Sequence, residues 1–305
     1  MPILDIAIIG GGPAGLTAGM YAARSRLEVT LFERLAPGGQ VLTTEWVENY
    51  PGFPQGVSGP ELMDAMRSQA ESFGLSIQRR EVLELELAGG IKRIHTAKET
   101  IDARTVILCT GAQPRKLGVE GERRFTGKGV SYCATCDGPF FEDLPIVVVG
   151  GGDMAVEESL YLTKFGSAVS LVHRRDQLRA TRLLQERLMA NSKVKVVWDS
   201  VVEAIEGSDL VEGVKLRNCK SGKESRLEAN GVFVFVGTVP VTGLLGGQLE
   251  LDEGGFIVTD RQLATSLPGV FAAGDVTSKP LRQIATAVGE GAAAEFSAEK
   301  YLSWA

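Results

Sequence analysis

The apolar pattern runs through one series of elements and then repeats it. Asp5–Ile9 is a short continuous apolar run, as made by a strand buried on both faces, and Gly10-Gly11-Gly12-Pro13-Ala14-Gly15 follows at once. Leu16–Arg24 then predicts a helix and Glu28–Glu33 a second strand. Later, Leu144–Val149 predicts a buried strand, Gly150-Gly151-Gly152-Asp153-Met154-Ala155 a turn, Val156–Phe165 a helix and Ala168–Val172 a strand. Gly10, Gly12 and Gly15 recur as Gly150, Gly152 and Ala155 at one constant offset. The closing strand recurs too: Arg104–Thr110 ends in Gly111-Ala112-Gln113-Pro114, and Gly231–Val236 in Gly237-Thr238-Val239-Pro240. The chain therefore holds two related units, one nested inside the other. The outer domain is placed at 1–116 with 245–305 and the inner one at 117–244.

Between these landmarks, Gly59–Phe73 predicts an amphipathic helix with Leu62, Met66, Ala70 and Phe73 on one face. Strands are expected near Ser76–Gln78, Val82–Leu87 and Ile91–Thr96; His95 receives no role. Helix and β-ribbon are expected over Leu183–Val197, Val201–Ile205 and Gly213–Asn218. Gly255–Thr259 and Gly269–Ala273 predict short strands, the second delivering Gly274-Asp275. A helix rich in small residues spans Ala285–Leu302. The polar, aromatic-bearing segment from Pro37 to Pro54 is too long for a plain connection and is expected to cover a ligand.

Each glycine turn has the register of a dinucleotide site. Gly10 allows the tight turn, Gly12 lets backbone approach a pyrophosphate, Gly15 lets helix and strand pack closely, and the helix N-terminus faces the phosphates. Glu33, at the end of the second strand, can accept a ribose hydroxyl. The fold class is thus α/β, with two nested Rossmann-like, three-layer dinucleotide-binding domains. The units differ where the ribose is read. The slot of Glu33 is filled in the inner unit by His173, followed by Arg174, Arg175 and Arg179. An acid there would repel a 2′-phosphate, whereas arginines grip it, so the second site should prefer NADP(H). Asp275, after a buried strand, is placed to hold a polyol hydroxyl or to cap a turn.

Composition narrows the field. The chain has 305 residues, 44% apolar and 23% charged, with net charge −6. That is ordinary for a globular protein of two domains and argues against nucleic acid and anionic membrane as partners. No run of about 18 apolar residues is present. The first residues run straight into a strand pattern, so the expected location is cytoplasmic. Of four cysteines, Cys109 lies in an apolar run and Cys219 in a polar one; Cys133 and Cys136 form the one close pair. A C-x-x-C can be a redox pair, half a zinc site or a pair without function. Zinc needs two further ligands, and no second Cys or His pair exists. The pair lies between the two nucleotide signatures, and Asp137 beside it can move the proton that a sulfur needs.

Two dinucleotide sites and one dithiol make a redox relay. A nicotinamide carries hydride and a disulfide accepts an electron pair, and a flavin is the usual intermediary, so the first site is assigned FAD. At this point the chain resembles the low-molecular-weight, bacterial and plant-type NADPH-dependent thioredoxin reductases over essentially its whole length. The residues carrying the resemblance are Gly10–Gly15, Gly38-Gly39-Gln40, Glu48-Asn49-Tyr50-Pro51-Gly52, Cys133-Ala134-Thr135-Cys136-Asp137-Gly138, Gly150–Ala155, His173-Arg174-Arg175 with Arg179, and Gly274-Asp275 with Arg282-Gln283. The cysteines inside the second unit are the specific part, since glutathione-reductase-like relatives carry theirs in the first.

The resemblance implies a two-domain flavoprotein disulfide reductase, a cytoplasmic homodimer that passes electrons from NADPH through FAD and a Cys133–Cys136 disulfide to thioredoxin. It implies that Cys136 faces the flavin, Cys133 attacks thioredoxin and Asp137 serves the dithiol as acid and base. It implies FAD contacts at Gly10, Gly12, Pro13, Ala14, Gly15, Glu33, Gly39, Gln40, Asn49, Val82, Thr110, Gly111, Gly274, Asp275, Arg282, Gln283 and Ile284. It implies NADPH contacts at Gly152, Asp153, Met154, Ala155, His173, Arg174, Arg175, Arg179 and Gly237. It also implies rotation of the inner domain about hinges near Leu117–Gly118 and Thr242–Gly246. Two positions depart from the pattern: Met154 stands where a small polar residue is expected, and Val241 where the family has Asn. The alternatives keep the relay with reduced ferredoxin as donor or another disulfide as acceptor, or reduce the chain to an inert flavin-binding module.

Overall fold

The computed structural model describes residues 3–44 and 46–304. The chain divides into two compact units, Met1–Gln113 with Val239–Ala305 and Pro114–Thr238. These divisions fall a few residues ahead of the boundaries placed from sequence.

The first unit opens with β1 (Leu4–Ile9), α1 (Pro13–Arg24) and β2 (Val29–Glu33), then α2 (Gly59–Ser72), β3 (Ser76–Arg79), β4 (Val82–Glu86), β5 (Lys92–Thr96) and β6 (Thr100–Leu108). A linking strand, β7 (Ala112–Pro114), leads to the second unit. This holds α3 (Glu122–Phe125), β8 (Val130–Ser131), α4 (Ala134–Asp137), β9 (Pro145–Gly150), α5 (Asp153–Leu162), β10 (Ala168–Val172), α6 (Arg182–Ala190), β11 (Val194–Val197), β12 (Ser200–Gly207), β13 (Val211–Asn218), β14 (Glu224–Glu228) and β15 (Gly231–Phe235). The return strand β16 (Thr238–Pro240) pairs with β7. β17 (Val270–Ala272) and α7 (Ile284–Trp304) complete the first unit.

The first sheet runs β3-β2-β1-β6-β5-β4, with β17 also on β6. Its β3, β2, β1, β6 and β17 are mutually parallel, and β5 and β4 are added antiparallel. The second sheet, β11-β10-β9-β15-β8, is parallel throughout. Period-two alternation gives each central strand two apolar faces. In β1, Ile6 and Ile8 pack with the α1 and α7 side, while Ala7 and Ile9 pack with Leu85, Leu87 and Ile94. In β9, Ile146 and Val148 meet the α5 and α6 side, and Val147 and Val149 the β12–β14 ribbon. Each unit is therefore helix layer, parallel sheet and β layer, as the repeated apolar runs imply. Among the described residues no helix is long and apolar enough to cross a membrane.

Four local expectations change. Helices α1 and α5 begin at Pro13 and Asp153, inside the glycine turns, because both residues suit a first helical turn. Strand β6 starts at Thr100, since Thr100–Ala103 alternates exposed and buried and lies outside the doubly buried run. Gly255–Thr259 forms only bridges through Ile257, to Leu251 and Thr277. Phe73 is exposed beneath the Arg24 guanidinium, 5.3 Å from its ring centre, and Met63 fills the core of α2 instead.

Helix α7 also buries an acid. Glu295 is 2% exposed, its Oε1 has no hydrogen-bond partner, and burial pushes its carboxyl up to about 7, with Glu299 adding repulsion. The native state therefore binds more protons than the unfolded state between the ordinary carboxylate range and pH 7. Stability falls as pH rises through that window and stays lower above it. Glu295→Gln should raise the melting temperature at pH 8 by several degrees, through about 2 kcal/mol, and change it little at pH 4.5. Thermal unfolding at the two pH values checks this; equal shifts at both would place the effect in packing.

Candidate functional site

The redox pair is built on a short turn in the second unit. Chain leaving β8 passes Tyr132 and enters α4, for which Cys133 is the N-cap. Cys133 and Cys136 are joined as a disulfide with Cα atoms 5.4 Å apart. The Cys136 amide donates to Cys133 Sγ at 3.1 Å, so a backbone N–H points at that sulfur. Ser131 brackets the turn: its Oγ accepts from the Cys133 amide at 3.0 Å and donates to the Cys133 carbonyl at 3.1 Å. Ala134 is buried and anchors the helix. Cys136 is exposed, Cys133 and Asp137 are half-buried, and Phe140 beyond them is 77% exposed.

One supporting residue escaped the sequence reading. Glu122, 4% exposed, accepts from the Leu117 and Gly118 amides at 2.8 and 2.7 Å and from the Tyr132 hydroxyl at 2.7 Å. Burial, with Glu122 beside it, pushes the Tyr132 phenol up to about 12, so it remains a donor. A single buried carboxylate thus fixes both the entry segment and the residue preceding Cys133. Glu122 sits in a polar run, Glu120–Arg124, where no periodicity marks it as buried.

In the first unit, the glycine turn fits a pyrophosphate. Gly10 has φ +108°, and a Cβ there would lie 2.2 Å from the Cys109 carbonyl oxygen; one on Gly15 would lie 1.9 Å from the Gly10 carbonyl oxygen. Gly12 is the N-cap of α1 with no side-chain cap, and a Cβ there would meet nothing within 4 Å. The unsatisfied N–H groups of α1 therefore open into free space. Gly39 and Gly274 close on the same helix end: a Cβ on Gly39 would lie 3.3 Å from Gly12 Cα, and one on Gly274 3.0 Å from Ala14 Cβ. Glu33 accepts from the Gly11 amide at 2.8 Å and the Leu35 amide at 3.0 Å, and an ionised carboxylate keeps capacity for a hydroxyl.

Most of the remaining first-unit candidates are held by contacts within that unit. Asn49 donates to Gln283 Oε1 at 3.1 Å, immediately before Ile284 starts α7, and the Gln40 amide reaches the Ala112 carbonyl. Thr110 Oγ donates to the Val241 carbonyl at 2.7 Å, and the Val241 amide to Gly111 at 3.0 Å. Val241 is thus engaged through its backbone. Val82, at the start of β4, is half-buried. Arg282 spends its donors on the carbonyls of Asp275, Thr277 and Lys279 and stacks on Phe256, 3.8 Å to the centroid. Asp275 Oδ1 is buried with no hydrogen-bond partner; Lys279 Nζ is 4.0 Å away. Burial raises the Asp275 carboxyl above its ordinary range. An orphaned acceptor of this kind suits a polyol hydroxyl.

The second-unit turn is built differently. A Cβ on Gly151 would strike the His173 ring at 2.2 Å, while Gly152 is open. His173 is buried, with Nδ1 2.7 Å from the Gly150 carbonyl and Nε2 3.0 Å from that of Gln177. It therefore shapes the turn from beneath. Asp153 Oδ1 accepts from the Thr181 amide at 2.6 Å, Ala155 is buried and Met154 is half exposed. Arg174, Arg175 and Arg179 are exposed on the following loop, which the Arg179 amide ties to the Gly151 carbonyl at 2.7 Å. Gly237, with φ +114°, ends the strand run after β15.

Comparison with known proteins places these features in one company. A family model described as pyridine nucleotide-disulphide oxidoreductase matches residues 4–291. The chain is 49% identical over 300 residues to a thioredoxin reductase of Mycolicibacterium smegmatis, covering 98% of this chain and 96% of the relative. It is 47% identical over 301 residues to a thioredoxin reductase of Listeria monocytogenes, covering 98% and 94%. Among solved structures, Lactococcus lactis thioredoxin reductase (FR conformation) is similar with TM-score 0.97 and 44% identity over 99% of this chain and 100% of that one.

Proposed function

The chain belongs to the pyridine nucleotide-disulphide oxidoreductase family as a thioredoxin reductase, and from that premise we propose how its own residues divide the work. The first unit holds FAD at the N-terminus of α1, between Gly12, Glu33 and Asp275. The second unit holds NADPH at the N-terminus of α5, with Arg174, Arg175 and Arg179 on its 2′-phosphate. When bound, a flavin takes hydride from a dihydronicotinamide and delivers the electron pair to a disulfide. The observation that carries the flavin assignment is the open helix end at Gly12 with the orphaned Asp275 Oδ1 in the same unit.

The cysteine turn performs the exchange. Two electrons and two protons convert Cys133–Cys136 into two thiols. The Cys133 thiolate attacks the thioredoxin disulfide, forming one S–S bond and releasing one thioredoxin thiolate. Cys136 then attacks Cys133, which restores the internal disulfide and releases the second. The Cys136 amide stabilises negative charge on Cys133, and Asp137 supplies or removes the proton. The exposed arginine loop favours NADPH over reduced ferredoxin as donor. A cytosolic homodimer completes the proposal, on the likeness to the family.

The test is anaerobic. The purified protein is mixed with one equivalent of NADPH or of NADH, and flavin absorbance near ~450 nm is followed, before oxidised thioredoxin is added. Fast bleaching with NADPH, slow bleaching with NADH and recovery on adding thioredoxin are expected. A flavin that stays oxidised with both nucleotides would overturn the donor, and one that bleaches equally fast with both would overturn the arginine reading.

A further inference from the structure

The arginine loop of the second unit contains an acid, Asp176, directly after Arg175, and a second acid, Asp199, is bound to the same loop. The Arg175 carbonyl accepts from the Asp199 amide at 3.2 Å, and the His173 carbonyl from the Ser200 amide at 3.0 Å. Both carboxylates oppose a 2′-phosphate dianion, the group the arginines are there to hold. The chain answers them from the β-ribbon, an element with no assigned role. At the turn between β13 and β14, the Cys219 amide donates to the Asp199 carbonyl at 2.5 Å. Asn218 Oδ1 accepts from the Lys220 and Ser221 amides at 3.1 and 2.9 Å, and Gly222 turns at φ +72°. The turn is thereby fixed, and it aims Lys220 at the loop. Lys220 Nζ lies 2.9 Å from Asp176 Oδ2 and 3.0 Å from Asp199 Oδ1.

We infer that Lys220 is a specificity-determining residue for the nucleotide's 2′-phosphate, acting through Asp176 and Asp199 rather than by touching the ligand. This rests on the proposed NADPH site. One ammonium bridges two carboxylates, holds them together and cancels one of the two negative charges they would add beside Arg174, Arg175 and Arg179. The hydrogen bond from Lys220 holds the Asp176 carboxyl below its ordinary range, and the two acids, Asp176 foremost, hold the Lys220 ammonium above its own, so the pair is charged at neutral pH. Both side chains are exposed, so the pair adds little to stability and its effect falls on the ligand. A carboxylate freed at this place repels a dianion within about a Debye length, and salt screens the repulsion.

The probes are 2′,5′-ADP and 5′-AMP, which differ by the 2′-phosphate alone. Each is titrated calorimetrically into the flavin-loaded protein at low salt. The proteins are wild type, Lys220→Met, Lys220→Arg and Lys220→Met combined with Asp176→Asn. Lys220→Met should weaken 2′,5′-ADP about five-fold and 5′-AMP less than two-fold, with the difference shrinking in 0.5 M salt. Lys220→Arg should stay near wild type, and Asp176→Asn should restore most of the loss. Equal weakening of both probes, or no restoration by Asp176→Asn, overturns the inference while the arginine site stands. A wild type that binds the two probes equally overturns the NADPH reading itself, and this inference with it.

Discussion

Cys136→Ser and Cys133→Ser should each lower thioredoxin reduction by at least about 10³-fold, with bound flavin and the fold retained. A serine hydroxyl forms no S–S bond and stays protonated at neutral pH, so no internal disulfide exists to carry two electrons. The turn itself survives: Ser131 keeps both its bonds to Cys133 backbone, and Ala134 keeps its buried anchor. The two variants differ in what they trap. A single-cysteine thioredoxin carrying a thionitrobenzoate leaving group should react with Cys136→Ser, because the Cys133 thiolate attacks, the new S–S bond forms and thionitrobenzoate leaves. Cys133→Ser should react slowly. Cys136 is the more exposed of the two residues, so the opposite result has a clear meaning: capture by Cys133→Ser would exchange the two roles. Mass spectrometry of the adducts and absorbance of the released thionitrobenzoate read both outcomes. Full turnover by either single variant would remove the pair from the electron path.

The two repeated series were legible because each strand at the centre of a sheet is apolar on both faces, and each glycine turn keeps the same spacing of small residues, Gly10, Gly12 and Gly15 against Gly150, Gly152 and Ala155. Gly10 and Gly15 announce their roles because a methyl group on either would overlap a carbonyl. The cysteine pair was legible from its spacing. What the pattern could not show depends on contacts between segments far apart in sequence. Glu122 is buried because Leu117, Gly118 and Tyr132 offer it three donors. Its neighbours Glu120, Arg123 and Arg124 give no hint of that burial. Lys220 gains meaning only when the ribbon folds onto the loop holding Asp176. His173 occupies the slot of Glu33 in the repeat, yet it is buried beneath the turn with both ring nitrogens beside carbonyls, an outcome set by the missing side chain of Gly151. Periodicity reports which face is apolar; it does not report which buried polar group finds partners.

The same steric argument separates two glycines that look alike in sequence. Gly12→Ala should fold as well as wild type and bind flavin at least about 100-fold more weakly, whereas Gly15→Ala should damage the fold itself. Gly12 has φ −74° and ψ −174°, a conformation alanine adopts freely, and its added methyl would meet no protein atom within 4 Å. The space it fills is the space a pyrophosphate needs against the N–H groups of α1, so the loss appears in binding alone. Gly15 has no such room. A methyl there would lie 1.9 Å from the Gly10 carbonyl oxygen, and relieving that overlap must move β1 against α1, at a cost of about 3 kcal/mol. The second unit shows why the overlap is local. There Ala155 stands in the slot of Gly15 and is buried, while Gly150 does not take the positive φ of Gly10 and its carbonyl oxygen lies 2.7 Å from His173 Nδ1. Thermal unfolding and the ratio of flavin to protein absorbance in the purified variants measure the two effects separately. Gly12→Ala with full flavin occupancy would move the pyrophosphate away from this helix end, and Gly15→Ala with unchanged stability would mean that the turn of the first unit can relax to the geometry of the second.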